Sequence, residues 1–511
     1  MEHLITMFNS AMHVIGLGAN IFVFILWCFA LWLCYLYLSD RLQTTHTIRR
    51  NYPVIGRFRY LFEHLGEFFR QYFFAMDREE LPFNRAERSW VYRAAKNVER
   101  TVAFGSTRNL SPAGEVLFLN SAFPLLETKA HFHSPIFIGE GYVKNPYKAK
   151  SIFNISGMSY GALSQPAIRA LATGAKAAGI WMNTGEGAVT PYHLRAGCDL
   201  VCQIGTAKYG FRDDNGDFDL EKLAKVAAYE QVKMFEIKLS QGAKPGKGGV
   251  LPAEKVNAEI AKVRGIPEGV ASISPNAHPE IQNVEDLINF IQTVRNVADK
   301  PVGIKFVLGS IQWLDDFCKA IIEHGEQSAP DFITIDSADG GTGAAPQTLM
   351  DYVGLPINQS LPIVIDKLTE YGLRQRVKII CSGKMITPSG VAWAMCMGAD
   401  FVVSGRGFMF ALGCIQALQC NKNTCPTGIT THDKKLQRGL NYKDKAVRVQ
   451  QYVDNMEKEL EMVAHACGVR DPRHLNRSHA RIVLDTRNSI PLEELYPPAK
   501  VREEFIKIID T

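Results

Sequence analysis

From about Ser151 the sequence alternates between short apolar runs and longer stretches with helical periodicity. The runs are SIFNISG from 151, VCQIG from 201, MFEIKLS from 234, VGIKFV from 302, DFITIDS from 331, KIICSG from 378 and FVVSGR from 401. Between them, Pro166 to Gly179, Asp219 to Gln231, Val284 to Val297, Ile311 to His324 and Pro388 to Met397 read as helices. A strand that is apolar along its whole length has both faces covered, which means parallel strands flanked by helices. That leaves a doubly wound sheet or a closed barrel. No complete GxGxxG follows any run, and nearly every run ends in a polar cluster containing Gly or Ser. Both observations favour a (β/α)8 TIM barrel whose site lies at the strand C-termini. A further helix is expected from about Lys443 to Cys467, with Val449, Tyr452, Val453, Met456, Leu460 and Val463 on one stripe and Gly468 as its stop signal.

The first forty residues follow a different rule. Val14 to Leu38 contains no charged residue, and Ile21 to Leu38 reads IFVFILWCFALWLCYLYL, about enough at 1.5 Å per residue to cross a hydrocarbon layer of roughly 30 Å. The expectation is one transmembrane helix, with a buried core helix as the alternative. A cleaved signal is disfavoured: Glu2 and no Lys or Arg precede the segment, and no small-x-small pattern follows it. Arg41, Arg49, Arg50, Arg57 and Arg59 come soon after, so the positive-inside bias puts the rest of the chain in the cytoplasm as a single-pass membrane protein. Phe58 to Phe74 suits either the membrane surface or packing as an ordinary amphipathic helix. The expected organisation is an anchor over 1–40, a basic and aromatic connector over 41–104, the barrel over 105–480 and a C-terminal extension over 481–511. Lys and Arg number 57 against 52 Asp and Glu, spread along the chain, which gives no sign of a nucleic-acid partner.

Eleven cysteines in a cytoplasmic chain point to packing, catalysis or metal rather than disulfides. Cys414, Cys420 and Cys425 stand in GCIQALQCNKNTCPTG. Three thiols so close together suit an iron–sulfur cluster better than zinc, which wants a fourth ligand. A zinc site completed by His432, or plain buried cysteines, are the alternatives on spacing alone.

The segments GMSYGALSQPA, NTGEGAVTP, EIKLSQGAKPGKGGVLP, ISPNAHPEI, DSADGGTGAAP and the Cys414 to Pro426 loop resemble, in order, successive motifs of the FMN-binding synthase domain of glutamate synthases, over roughly residues 105 to 480. The resemblance implies an FMN barrel with a 3Fe-4S cluster, in which 2-oxoglutarate and ammonia give 2-iminoglutarate and reduced flavin delivers hydride from N5. Electrons would come from a donor such as ferredoxin or a reductase subunit, through the cluster to the flavin. By position in the motifs, Cys414, Cys420 and Cys425 would be the cluster ligands. Lys238, Gln241 and Lys244 would face the flavin and the substrate carboxylates, Glu186 would stand beside the 2-oxoglutarate site, and Gly340 and Gly341 would belong to the loop over the flavin.

The chemistry of the residues agrees with these roles. A dicarboxylate needs cationic and amide donors, which Lys244 and Gln241 offer on one loop; a solvated loop lysine is the alternative for Lys244. Lys305 lies inside an apolar strand, where a lone ammonium is costly. It suits a flavin-facing role, or else a salt bridge to Asp336 or Asp339. FMN phosphate needs backbone donors from the loops after the seventh and eighth strands, which makes Gly383, Gly405 and Arg406 the candidates. Ser156, Gly157, Met158 and Ser159 end the first strand, where backbone groups would meet the ring. Glu186 is the better choice for the acid of imine formation. His193 and His278 are given no catalytic role.

Large glutamate synthases also carry a cysteine glutaminase domain and a β-helical domain, and neither fits here. The amine is therefore expected from free ammonia, a separate glutaminase subunit or another amine. Two other readings keep the cofactors: an enzyme like N-methylglutamate synthase acting on methylamine, and a membrane-tethered flavin and iron–sulfur electron carrier.

Overall fold

A computed structural model describes residues 1–99, 101–126 and 135–505 of the chain. Arg100 of the connector, positions 127–134 and the end of the C-terminal extension, 506–511, lie outside them. The chain divides into two compact units, Met1–Arg85 and Ala86–Thr511.

The first unit is led by the helix Glu2–Leu42, long and apolar enough to cross a membrane by length and composition. Most of its apolar side chains, Phe24, Trp27 and Leu31 among them, are exposed, whereas Leu36 is buried. The chain then turns back through the helices Thr47–Asn51 and Gly56–Phe69. Asp40, 1% exposed, holds the turn. Its carboxylate accepts from Arg57 Nε and Nη2 at 2.8 Å each and from the Val54 amide at 3.0 Å.

In the second unit eight parallel strands close on themselves: β1 (Phe153–Ile155), β2 (Trp181–Asn183), β3 (Asp199–Ile204), β4 (Val232–Lys238), β5 (Val302–Phe306), β6 (Phe332–Asp336), β7 (Lys378–Ser382) and β8 (Phe401–Ser404). Each pairs with its sequence neighbours, and β8 pairs with β1. The expected barrel is therefore the observed one. Seven of its strands coincide with the apolar runs. The remaining strand, β2, is three residues long, too short to show a period in sequence. Helices α1 (Gln165–Ala178), α2 (Leu220–Ala227), α3 (Val284–Ala298), α4 (Gln312–His324), α5 (Ile357–Glu370) and α6 (Pro388–Met397) lie between the strands. A short α7 (Arg406–Leu412) and the long α8 (Tyr442–Ala466) follow β8.

Sequence chemistry explains the local choices. Ser164, Asp219, Asn257 and Asn283 accept hydrogen bonds from backbone amides at the starts of helices, the usual way of satisfying those orphan donors. Pro362 sits inside α5, where it leaves the Asn358 carbonyl without its helical donor. The Tyr496 hydroxyl takes up that carbonyl at 3.2 Å. Helix α8 lays Tyr452 against Phe153 and Phe408, with ring centroids 5.3–5.5 Å apart.

The N-terminal end of the barrel is plugged by the hairpin Ile136–Ile138 and Tyr147–Ala149. Ile138, Tyr147 and Ala149 join Trp181, Val201, Met234, Phe332 and Phe401 in one buried cluster. Just outside it Asp331, fully buried, accepts from Arg295, Arg376 and the Val302 amide. This end is apolar and locked, so the chemistry is left to the other mouth. The segment after α8 adds Ala480–Val483 and Ser489–Pro491 to Val116–Phe118 in an antiparallel three-stranded sheet.

Candidate active site

Side chains alternate faces along a strand, so with Met234 in the interior cluster, Glu236 and Lys238 of β4 also point inward. Lys238 Nζ is paired with the Glu186 carboxylate and donates to Gln241 Oε1 at 2.8 Å. Lys244, 4% exposed, stands within electrostatic reach of Glu186, and buried Arg264 adds a further cation. Gly249 completes the enclosure, since a Cβ there would collide with Glu186 Oε1.

The charge states follow from this packing. Burial pushes the Glu186 carboxyl up, but Lys238, Lys244 and Arg264 outweigh it and hold the group below its ordinary range. Burial brings Lys244 down to about 8, against the pull of Glu186 and with the help of Lys238 and Lys247. Burial also works against the Lys305 ammonium, yet Asp336, Glu236 and Glu186 more than offset it and raise the group.

Below the mouth the barrel interior is polar. Glu236, 2% exposed, accepts from Asn183 Nδ2 and Gln203 Nε2 at 2.7 Å each and from Thr334 Oγ1 at 2.6 Å. Lys305 Nζ lies 3.3 Å from Asp336 Oδ2. Of the two readings of Lys305, the salt bridge to Asp336 is present. Asp336 also accepts from Ser382 Oγ at 2.8 Å and from the Gly242 amide at 2.9 Å. Gly242 is required there, because a Cβ would run into the Ser337 carbonyl oxygen.

The other side of the mouth is built from the remaining strand ends. The Ser156 amide donates to the Ser404 carbonyl at 3.0 Å and the Met158 amide to that of Asn183 at 3.3 Å, while Gly157 lies against Gln203 and Asn183. The Ser159 carbonyl receives the Leu163 amide at 3.0 Å. Gly405 opens toward Ser156, and Gly383 packs on Ser337. Gly340 donates its amide to the Ser337 carbonyl at 2.9 Å, and a Cβ on Gly341 would come 2.7 Å from Arg406 Nε. Lys384 pairs with Asp339 at 2.6 Å. Arg406 is lowered by burial, against the attraction of Asp339 and Asp336. Glycine backbone with Arg406 and Lys384 at hand is a donor set that fits an anionic, phosphate-bearing cofactor.

The cysteine loop rests on the segment between β1 and α1. Ser164 Oγ donates to the Gly428 carbonyl at 2.7 Å, and His432 Nε2 meets the Gly161 carbonyl at 2.8 Å. His432 is thereby turned to backbone, and its alternative role as a zinc ligand finds no support. Burial raises Cys414 to about 12, and Cys420 and Cys425 push it the same way, so the three thiols feel one another. Burial also raises Cys425, but Thr427 and Thr430 outweigh it, and this thiol is lowered. Among the described residues no three His, Cys, Asp or Glu side chains are grouped closely enough to hold a single metal ion. Lys255, buried, donates to the Cys420 carbonyl at 2.6 Å.

Glu186, Lys238, Gln241 and Lys244 thus come together, with Lys305 opposite Lys238 on the next strand. Ser156 to Ser159 reach the same interior from β1. Gly340, Gly341, Gly383, Gly405 and Arg406 form a second group, and the cysteines a third, linked toward the first through the Tyr160 carbonyl, which accepts from Arg264 at 3.3 Å, and the Gly161 carbonyl, which meets His432. His193 caps its own helix with Thr190 and His278 meets the Lys238 carbonyl, in keeping with structural roles. Sequence reasoning missed Glu236, Asn183, Gln203 and Arg264. The rule that singled out Lys305, a charge inside an apolar strand, would have found Glu236 as well.

The fold and site define a barrel with a buried cation–carboxylate cluster at its strand C-termini. The conserved region in glutamate synthase matches residues 109–470. The glutamate synthase large subunit-like protein YerD of Bacillus subtilis (strain 168) is 40% identical over 483 residues, covering 87% of this chain and 91% of that protein. The archaeal-type glutamate synthase (NADPH) of Dehalococcoides mccartyi is 33% identical over 328 residues, 64% of this chain and 62% of that protein; this chain therefore spans about three fifths of that relative. A flavocytochrome b2 variant solved with benzoylformate shares 15% identity at a TM-score of 0.47, covering 80% of this chain and 82% of that one. The chain belongs to the glutamate synthase family, and with it to the oxidoreductases.

Proposed function

We propose that the chain makes glutamate by reductive amination of 2-oxoglutarate, with FMN at the C-terminal mouth of the barrel and a 3Fe-4S cluster on Cys414, Cys420 and Cys425. The observation that carries this reading is the buried set Lys238, Gln241, Lys244 and Glu186, which offers cations and an amide to a dicarboxylate and an anion to an ammonium ion.

Lys244, charged at neutral pH and shielded from water, binds a carboxylate of 2-oxoglutarate, and Gln241 adds an amide donor. Glu186, kept ionised by its lysines, attracts the ammonium ion; once ammonium has lost a proton to water, ammonia attacks the keto carbon, and Glu186 relays protons from the nitrogen of the adduct to its oxygen, which leaves as water. When bound, FMN would supply hydride for reduction of the imine. Gly383, Gly405 and Arg406 would hold its phosphate, Ser156 to Ser159 and Lys305 its ring, and Gly340 and Gly341 would cover it. The three thiols influence one another, and a cluster held on them would relay single electrons. The N-terminal helix would anchor the chain, with the barrel in the cytoplasm.

The test is anaerobically purified full-length protein given 2-oxoglutarate, ammonium and reduced ferredoxin. Glutamate is expected, together with an iron count and an electron paramagnetic resonance signal for an oxidised three-iron cluster. Product only with methylamine would replace ammonia by that amine. No product with either, and a flavin spectrum indifferent to 2-oxoglutarate, would reduce the chain to an electron carrier.

A further inference from the structure

In the first unit the helix Gly56–Phe69 presents its apolar face to the outside. At about 100° per residue, Phe58, Leu61, Phe62, Leu65 and Phe69 share one face while Arg59 and Glu63 lie on the other. Phe58, Leu61, Phe62 and Phe69 are 54, 48, 65 and 45% exposed. The π-helical turn Arg70–Phe74 follows, and its wider turn keeps Phe73 and Phe74 beside Phe69, with ring centroids 5.4 and 6.5 Å away. The opposite side is the covered one: the Arg49 guanidinium lies 4.8 Å from the centroid of the Tyr60 ring, and His46 meets that ring at 5.1 Å. A helix packed on a water-soluble core is covered on its apolar side, so this arrangement is inverted.

We propose that the aromatic face lies in the headgroup layer of an anionic bilayer, holding Gly56–Phe69 flat on the leaflet from which the N-terminal helix emerges. The proposal rests on reading that N-terminal helix as a membrane anchor. Two observations select lipid as the occupant. The first is continuity: Asp40, which binds Arg57 and the Val54 amide, comes two residues after the apolar run that ends at Leu38. Two residues are about 3 Å of helix, so the start of the aromatic helix is held at the level where the span ends. The second is charge. From Arg41 to Phe74 the sequence has six arginines against Glu63 and Glu67, and Arg41, Arg50, Arg59 and Arg70 are exposed. Aromatic side chains buried about 5–10 Å deep, with arginines reaching up to phosphates, are how an amphipathic helix binds a membrane surface. Each arginine near such a surface strengthens binding roughly fivefold.

The test uses the full chain in lipid nanodiscs with and without phosphatidylglycerol, with Phe62 or, separately, Glu63 replaced by an environment-sensitive fluorescent amino acid. The reporter at 62 should emit to the blue of the one at 63, be quenched by brominated lipid and escape quenching by aqueous iodide; the reporter at 63 should do the reverse. In phosphatidylglycerol nanodiscs, R59E/R70E should shift the reporter at 62 back to the red and restore its quenching by iodide, as should high salt, with circular dichroism unchanged. Iodide quenching at both positions overturns the proposal. So does shielding of position 62 from iodide and lipid alike, which would put a protein surface over the face. If carbonate washing strips the chain from the bilayer, the anchor reading fails, and the face is decided by flotation of the same chain with phosphatidylglycerol vesicles. Flotation lost in F62E/F69E supports the face, whereas no flotation, or flotation unaltered in that variant, overturns it.

Discussion

Lys244→Met should make the protein more stable and worse at binding its substrate. Lys244 is 4% exposed and burial brings it to about 8 from an ordinary 10.5. Between those values the unfolded chain holds more protons than the folded one, so this group's contribution to stability rises with pH and is most unfavourable below 8. Keeping the buried ammonium charged at pH 7 costs about 3 kcal/mol, falling to about 2 kcal/mol at pH 9. A methionine of similar length removes that cost, and Glu186 keeps Lys238 as partner. Thermal unfolding should therefore shift upward by a few degrees at pH 7 and by less at pH 9. The lost charge-assisted contact, about 1.5–3 kcal/mol, should raise KM for 2-oxoglutarate roughly tenfold to a hundredfold. In the wild type the same KM should climb as pH passes 8, and in the variant that rise should flatten. Calorimetry at the two pH values and initial rates against 2-oxoglutarate measure both effects. Equal stability together with an unchanged KM would show that Lys244 is an ordinary loop lysine and would remove the dicarboxylate argument.

Gly249→Ala forces the Glu186 carboxylate away from its place, so kcat should drop by about a hundredfold or more, the size of a lost acid–base contribution, with thermal stability much less affected. Asp331→Ala leaves Arg295 and Arg376 buried without their carboxylate; a loss of roughly 3–5 kcal/mol is expected in urea unfolding, with KM unaltered in whatever protein folds. Cys425→Ser should abolish iron retention and the paramagnetic signal while FMN absorbance persists, which iron analysis beside the visible spectrum would check.

Much of the barrel was legible because its strands read as short, mainly apolar runs separated by helical stretches, a pattern that survives without any tertiary information. β2 was hidden because Trp181–Asn183 is three residues long, and α5 because Pro362 interrupts a stretch that otherwise reads as a helix. Helix ends were nearly right where a cap marks them. The Pro388–Met397 helix agrees in full, whereas the Asp219 helix ends at Ala227 rather than Gln231 and the last turn gives way to the lead-in to β4. For the site, the motifs put Glu186 on one loop and Lys238, Gln241 and Lys244 at the end of β4 and the loop after it, far apart in sequence, and closure of the barrel brings them together. What no single sequence discloses is which partner a buried charge selects. Lys305 had two acidic candidates, and register decides for Asp336, which sits on the adjacent strand with its side chain inside the barrel.

The interior polar groups explain how a rigid barrel fixes two flexible-looking loops. Glu236 gathers Asn183 of β2, Gln203 of β3 and Thr334 of β6, so one carboxylate ties four strands together. Asn183 also accepts the Gly185 amide at 2.9 Å through Oδ1, one residue before Glu186. Asp336 acts alike on the other loop, anchored by Lys305 and Ser382 while it accepts the Gly242 amide, one residue after Gln241. Buried polar groups are costly unless satisfied, and these are satisfied by partners on other strands of the barrel, so neither loop can shift without opening the interior network. The placement of Glu186 against Lys238 and Gln241 is therefore set from inside the barrel, and a site of this kind can be preorganised although its residues lie on loops rich in glycine.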